Sequence, residues 1–415
     1  MNVLFVIHYP VFGGPHNQAL HLARELARRD VSLTVLLPDE RGNAASRLRA
    51  DGVDVVTIPL HRGRVTFNPR THLKLIGTLP REVRRIREVI RDHSIDVVQI
   101  GGLVNAHGAI AGRLENTAVV WQLLDTRAPM AFRRLIMPLV VRLSDVVMST
   151  GNAVARVHPG AEQMGDRLLV FFPPVDPEEF SVEKADRGEA RLRFGFSPDD
   201  LVLGTVGNLN PQKGHEYFLQ AAALARSEGQ RAKILIVGAS HETHRTYERH
   251  LYRLCAQRGL VVGRDVVFAG ALDDVRPALA AMDIFVLSSV PRSEGAPTAV
   301  EEAMMMKRAV VAANVGAVSE VVEDGVSGLI VPPLDPRALS KAILRFAETP
   351  ALLTSMGARA RERAEIHYSV EECARIHLEA YDRALSRRDS RLGPCLEPPE
   401  GARGVPETGK SRGPT

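Results

Sequence analysis

The chain alternates, twice over, between short apolar runs rich in β-branched residues and longer stretches with helical spacing. The first series reads "NVLFVIH", the helix "HNQALHLARELARRD", "SLTVLLP", "VDVVTIP", a basic helix, "IDVVQIG", "AVVWQLL" and "DVVMST". These runs are continuously apolar, as strands covered on both faces are, so the pattern predicts a parallel sheet wrapped by helices. A second series follows: "DLVLGTVGNL", the helix around "HEYFLQAAALARSEG", "AKILIVG", the helix through "TYERHLYRLCAQRG", "DVVFAG", "VRPALAAM", "DIFVLSS", "AVVAAN" and "GLIVPP". Between the two series lies "RLLVFFPPVDPEEF", whose consecutive prolines Pro173 and Pro174 cannot continue a strand ladder. The expected architecture is α/β, with two doubly wound Rossmann-like domains over 1–178 and 179–367 facing one another across a cleft. The helical pattern within 368–385 has apolar positions to bury and is expected to pack back on the first domain. The last segment, 386–415, is rich in Pro, Gly and charge and is expected to be disordered.

At 415 residues the chain exceeds one ordinary domain. Its three cysteines, Cys255, Cys373 and Cys395, lack the close spacing of a zinc site or redox pair, which fits reduced thiols in the cytoplasm. The start, "MNVLFVIHYPVFGG", reads as a first strand rather than a signal peptide, and apolar stretches such as "LIMPLVV" fall short of the roughly 20 residues that cross a bilayer. The helix "REVRRIREVIRDH" carries Arg81, Arg84, Arg85, Arg87 and Arg91 around an apolar stripe. A solvated face explains those arginines, and the alternative is peripheral contact, through 81–91, with anionic lipid at the inner face of the membrane or with a phosphate-rich acceptor. Nucleic acid is not expected, because aromatic residues are sparse and no recognition motif accompanies the charge.

Three stretches could carry chemistry. Gly13 and Gly14 lie between the first strand and a helix, where backbone can approach a ligand and a helix start offers N–H groups to an anion; a tight turn with no ligand fits equally. Lys213 precedes a helix in "GNLNPQKGHEYF" and either neutralises a phosphate or is an ordinary solvated lysine. In "PRSEGAPTAVEEAM", Glu294 sits before a turn and Glu302 on the helix after it, with Pro297 in the first helical turn and the N–H groups of Ala296, Thr298 and Ala299 facing an anion. The two carboxylates suit sugar hydroxyls, or an exposed helix start with no ligand. No Asp-x-Asp or histidine cluster stands beside them to hold a metal.

In this order, "FGGPHNQALHLARELARR", "GNLNPQKG", "SSVPRSEGAPTAVEEAM" and "VGAVSEVVEDGVSGLIVPPLDPRALSKAI" resemble the retaining sugar-nucleotide glycosyltransferases of glycosyltransferase family four, which have the GT-B fold. The resemblance covers the chain to about residue 385. It implies transfer of a sugar from a nucleotide diphosphate sugar to an acceptor hydroxyl, with retention of anomeric configuration and without metal or other cofactor. The acceptor would be a carbohydrate, a lipid-linked compound or a small molecule, in polysaccharide, glycolipid or natural-product glycosylation. By similarity, Lys213 contacts the donor diphosphate, Glu294 holds the transferred sugar and Glu302 the ribose. Backbone at Gly295, Ala296 and Thr298 binds phosphate oxygens, and Gly14 approaches the diphosphate from the other domain.

Two positions depart from the family's pattern. Asn208 in "GNL" stands where an arginine is usual, and a neutral donor makes a hydrogen bond roughly half as strong as a charged one. In "VVWQLLDTRAP", Leu124-Asp125 replaces His-Asp; Asp125 can orient an acceptor hydroxyl, but Leu124 offers no hydrogen bond. His16 or His107 could then serve the acceptor side, each with the alternative of a structural histidine. A sugar-nucleotide 2-epimerase and a sugar-nucleotide-binding protein with impaired catalysis are the competing readings.

Overall fold

A computed structural model describes residues 1–61, 69–240 and 244–392. The first sheet has seven parallel strands, β1 (Asn2–Ile7), β2 (Ser32–Pro38), β3 (Asp54–Ile58), β4 (Val97–Gly101), β5 (Ala118–Leu123), β6 (Val146–Ser149) and β7 (Leu168–Val170), in the order 3-2-1-4-5-6-7. The second has six, β8 (Val202–Val206), β9 (Lys233–Val237), β10 (Val266–Gly270), β11 (Ile284–Leu287), β12 (Ala309–Ala313) and β13 (Leu329–Val331), in the order 10-9-8-11-12-13. Both are doubly wound, as the two sequence series imply, and each reverses direction once: between β1 and β4, and between β8 and β11. At such a reversal the loops leaving neighbouring strands diverge and open a crevice at the carboxyl edge of the sheet.

The strands form where β-branched side chains pack on both sheet faces. Val3 to Ile7 are fully buried, with Val3, Phe5 and Ile7 in one apolar cluster and Leu4 and Val6 in another on the opposite face. The second sheet is likewise covered on both sides, by clusters that contain Phe285 and Leu287 on one face and Ile284 and Val286 on the other. Each such fully buried side chain contributes about 1.5–3 kcal/mol from its removal from water.

The chain passes between domains twice, side by side: Val175 bridges Ser369 in parallel, and its N–H donates to the Tyr368 carbonyl at 2.8 Å. The closing helix runs Val370–Leu392 and lies on the first sheet, with Cys373, Ala374, Ala380, Tyr381 and Ala384 buried in that domain's core. It extends past the expected end at 385 because Arg383, Arg387 and Arg391 recur every four residues on one face. Arg383 and Arg387 bond Asp166, and Arg391 bonds Asp145. Residues 386–392 are therefore helical rather than disordered, and 393–415 of the expected tail lie outside the described residues. No helix among the described residues is long and apolar enough to cross a membrane.

In the helix Pro69–Asp92, Arg84 pairs with Glu88, and Arg87 and Arg91 both bond Glu115, so much of the basic face is satisfied within the domain.

Candidate functional site

The two carboxyl edges face each other across a cleft of about 1490 Å³. Its walls carry Gly13, Gly14, Leu124 and Asp125 from the first domain and Asn208, Lys213, Glu294 to Thr298 and Glu302 from the second. Stretches far apart in sequence thus meet at the two sheet reversals.

Lys213 is set by a short 3-10 turn, Pro211–Lys213, after β8; the Asn210 side chain caps it by accepting from the N–H groups of Gln212 and Lys213 at 3.0 and 3.2 Å. Glu294 lies on the loop after β11 and is nearly inaccessible, 6% exposed. Lys213 Nζ and Ser289 Oγ both donate to Glu294 Oε1, at 2.7 and 2.6 Å. Such a half-buried ion pair costs desolvation on both sides and holds only while it is complete. Both donors use one carboxylate oxygen, so Oε2 keeps its acceptor capacity for a hydroxyl.

Pro297 is the N-cap of the helix Thr298–Met305 rather than part of its first turn. The first intrahelical bonds run from Val300 and Glu301 to the Pro297 carbonyl, so the N–H groups of Thr298 and Ala299 precede them at the cleft wall. Glu302, one turn in, lies half-buried on that wall, and burial pushes its carboxyl up to about 8. That shift favours the protonated carboxyl, in which one oxygen can donate while the other accepts. Its neighbour Glu301 turns the other way, into the core, fully buried with neither oxygen hydrogen-bonded. Burial, then the adjacent Glu302, hold the Glu301 carboxyl well above the usual range.

The domains touch at the floor of the cleft. Gly295 packs on the Leu124 carbonyl so closely that a Cβ would come within 2.1 Å of that oxygen, and Thr126 Oγ1 donates to the Glu294 carbonyl at 3.2 Å. Leu124 thus serves the seam through its backbone as well as lining the cleft with its side chain. Asp125 is exposed in the cleft, where one carboxylate oxygen accepts from the Arg127 N–H at 2.9 Å. Asn208 is exposed on the opposite wall.

The two candidate histidines are placed elsewhere. His16 is fully buried behind the glycine turn; its Nδ1 accepts from Gly13 N–H at 3.2 Å and its Nε2 donates to the Tyr9 carbonyl at 3.0 Å. It fixes the shape of the loop that carries Gly14, and burial lowers it to about 4, so it stays neutral. His107 is buried in the helix Ala106–Leu114, with Nε2 3.1 Å from a carboxylate oxygen of Glu82, and neither histidine lines the cleft. Side chains that the sequence did not single out do line it, among them Tyr9, Arg127 and Arg276. Arg276 is clamped by both carboxylate oxygens of Asp274, at 2.8 and 2.9 Å. The only trace in sequence is Asp274 two residues before Arg276, a spacing too common to mark a site. Among the described residues no three His, Cys, Asp or Glu side chains are grouped to hold a metal ion.

Comparison with known proteins agrees with this layout. A family model for the glycosyl transferase 4-like domain matches residues 13–182, and one for glycosyl transferases group 1 matches 200–349. The chain is 28% identical over 409 residues to a D-inositol 3-phosphate glycosyltransferase of Nocardioides sp., covering 90% of this chain and 85% of the relative. It is 30% identical over 235 residues to the alpha-D-kanosaminyltransferase of Streptomyces kanamyceticus, 56% of this chain and 58% of the relative. Among solved structures, HepE of Anabaena in complex with UDP-glucose superposes with a TM-score of 0.76 at 22% identity, over 93% of this chain and all of that one. A glycosyltransferase of Rickettsia africae superposes with a TM-score of 0.78 at 17% identity, over 92% of this chain and 98% of that one. At those identities the structural likeness speaks to the fold, while the two family models account for the two domains in order. This chain is a glycosyltransferase with the GT-B fold and belongs to glycosyltransferase family four.

Proposed function

We propose that the protein transfers a hexosyl unit from a nucleoside diphosphate sugar to an acceptor hydroxyl, with retention at the anomeric carbon and without a bound metal. The observation that carries this reading is the convergence of Lys213, Glu294 and Glu302 on one wall of the cleft, at the reversal of the second sheet. In this reading Lys213 leaves Glu294 for the donor diphosphate, Glu294 takes hydroxyls of the transferred sugar, and Glu302 grips the ribose diol. The N–H groups of Ala296 and Thr298, with Gly14 across the cleft, approach the phosphate oxygens. Lysine and the helix start together offset the charge that develops on the leaving diphosphate, which is what a metal would otherwise do.

Retention is supported by the family and by the engagement of Glu294 with Lys213, which suits a sugar-holding group better than a free nucleophile. The acceptor would then attack from the leaving-group face, its proton passing to the departing phosphate, with Asp125 orienting the hydroxyl. The first-domain wall supplies the acceptor side. A carbohydrate, a lipid-linked compound or a small molecule fits there, and any contact with an anionic membrane surface would fall to Arg81 and Arg85, whose helix neighbours are engaged in ion pairs. The named relatives are transferases, which favours transfer over 2-epimerisation.

The test is a panel of UDP-, GDP-, ADP- and TDP-sugars with mixed sugar and polyol acceptors, followed by NMR of the anomeric proton in the presence of EDTA. Acceptor-dependent release of nucleoside diphosphate with the donor's anomeric configuration kept is the expected result. An isomeric nucleotide sugar would replace this reading with epimerisation, and failure of every nucleotide to stabilise the protein would remove donor binding altogether.

A further inference from the structure

Below the cleft, one carboxylate joins the two domains through three hydrogen bonds. Glu320, on the short helix Val318–Val321 after β12, reaches into the first domain and accepts from Asn152 N–H at 2.7 Å, Asn152 Nδ2 at 2.9 Å and Ala153 N–H at 2.6 Å. These donors lie 168 and 167 residues away in sequence, at the start of the helix that follows β6. A carboxylate accepting from the first N–H groups of a helix makes charge-assisted bonds aligned with the helix dipole. From behind, Glu320 is itself fixed: its carbonyl accepts from Arg363 at 2.8 Å, and Tyr368, at the second crossover, bonds the next carbonyl at 2.9 Å.

The contact leads directly to the reacting groups. Gly151 has φ of 107°, open to glycine, and a Cβ there would lie 2.5 Å from Ala317. The preceding Thr150 donates through Oγ1 to the Leu124 carbonyl at 3.2 Å, the oxygen on which Gly295 packs, and Ala317 N–H donates to the Gly295 carbonyl at 2.9 Å. The Asn152 contact, the Leu124-Asp125 loop and the Glu294-Gly295 loop are thus successive links of one network. We infer that Glu320 is a positioning residue: its carboxylate latches the two domains at the spacing that brings the acceptor wall, with Asp125, against the donor wall, with Glu294. It touches no substrate. The inference rests on the transferase reading for its kinetic consequence but not for its structural one.

Glu320→Ala removes all three bonds, Glu320→Gln keeps one accepting oxygen, and Asn152→Asp sets a second carboxylate against Glu320 from the other domain without touching a buried apolar group. Nucleoside diphosphate affinity is read by calorimetry, transfer by kcat and KM, and domain spacing by small-angle scattering of the full chain. In Glu320→Ala, kcat should fall about tenfold or more while nucleoside diphosphate Kd changes much less, within about threefold, because the donor side chains Lys213, Glu294 and Glu302 belong to the second domain and only Gly14 approaches the diphosphate from the first. Glu320→Gln should recover part of the loss, Asn152→Asp should reproduce it, and the radius of gyration should rise in both Glu320→Ala and Asn152→Asp. Unchanged scattering in both, unchanged kcat, or a loss of Kd in proportion to kcat would overturn the latch. If the wild-type protein transfers no sugar at all, the transferase reading fails, and the scattering comparison alone decides whether the latch exists.

Discussion

At the scale of single residues, the two carboxylates proposed to hold the donor stand in different surroundings. Glu294 is bound by Lys213 and Ser289, whereas burial raises the Glu302 carboxyl and favours its protonated form. Glu294→Ala leaves Lys213 unpaired and, on the proposed function, removes a sugar contact at the reacting end, so kcat/KM should fall by about 10²–10³. On the same proposal Glu302→Ala removes a ribose contact remote from the bond that breaks, and its loss should be smaller and appear mainly in donor KM. Steady-state kinetics on the two variants settles the order, and equal, negligible losses would reduce the stretch to a helix start. Asn208 offers a gain instead. It is exposed on the same wall as Lys213, so Asn208→Arg adds a cation without crowding, and nucleoside diphosphate Kd should drop by about threefold to tenfold. An unchanged Kd by calorimetry would mean that position 208 does not face the diphosphate.

At the scale of elements, the closing helix Val370–Leu392 is a structural member of the first domain. His377, fully buried on it, donates through Nδ1 to the Cys373 carbonyl at 2.7 Å and accepts at Nε2 from the side-chain amides of Gln18 and Gln122 at 2.9 and 3.0 Å. Tyr381, one turn on, fills the core and bonds Gln99 on β4. Tyr381→Ala leaves a cavity of aromatic size and should cost about 3–5 kcal/mol, measured as a lower urea midpoint for the first domain. A loss under about 1 kcal/mol would show that the helix merely rests on the surface.

The elements themselves were legible in the chain. Within the two series "VRPALAAM" is the helix Arg276–Ala281, and the β-branched runs on either side of it and in the rest of the series are strands, because parallel strands buried on both faces leave an uninterrupted apolar signature. The placement of Lys213, Glu294 and Glu302 at the cleft was legible because each sits in a turn or helix start with local chemistry of its own. His16 and His107 were not, since a histidine that caps a loop and one that faces a buried glutamate look alike in sequence to one in a cleft. Glu320 and Arg276 were missed for a related reason: their partners lie in another domain or in an unremarkable neighbour, and neither leaves a periodic trace. The extra helical turns to Leu392 follow from ion pairs with Asp145 and Asp166, which pattern within the helix cannot show.

For the whole molecule, the most exposed consequence concerns pH. Glu301, on the helix Thr298–Met305 and within electrostatic reach of Tyr368 and Cys373 at the second crossover, is pushed well above the usual carboxyl range by burial, and Glu302 is raised to about 8. In the unfolded chain both carboxyls lose their protons near the ordinary value of 4.5. Between that pH and their folded values the native state binds more protons than the unfolded state at these two groups, so the stability they contribute is full below about pH 4.5 and is lost as pH rises. Each group contributes a slope of about 1.4 kcal/mol per pH unit inside its window. Glu301→Gln removes one of the two, so its urea midpoint should decline less steeply than wild type between pH 5 and 8. Parallel slopes would place the proton balance elsewhere.

The first domain draws part of its core from the last described helix, and this bears on how the molecule is made. When β7 leaves the ribosome, the pocket meant for Cys373, Tyr381 and Ala384 is still open, and roughly 200 residues remain before it is filled, an interval of about 10–40 s at ordinary elongation speeds. The second domain contains its own sheet and both of its apolar layers within that interval. The half that is synthesised first therefore finishes folding last.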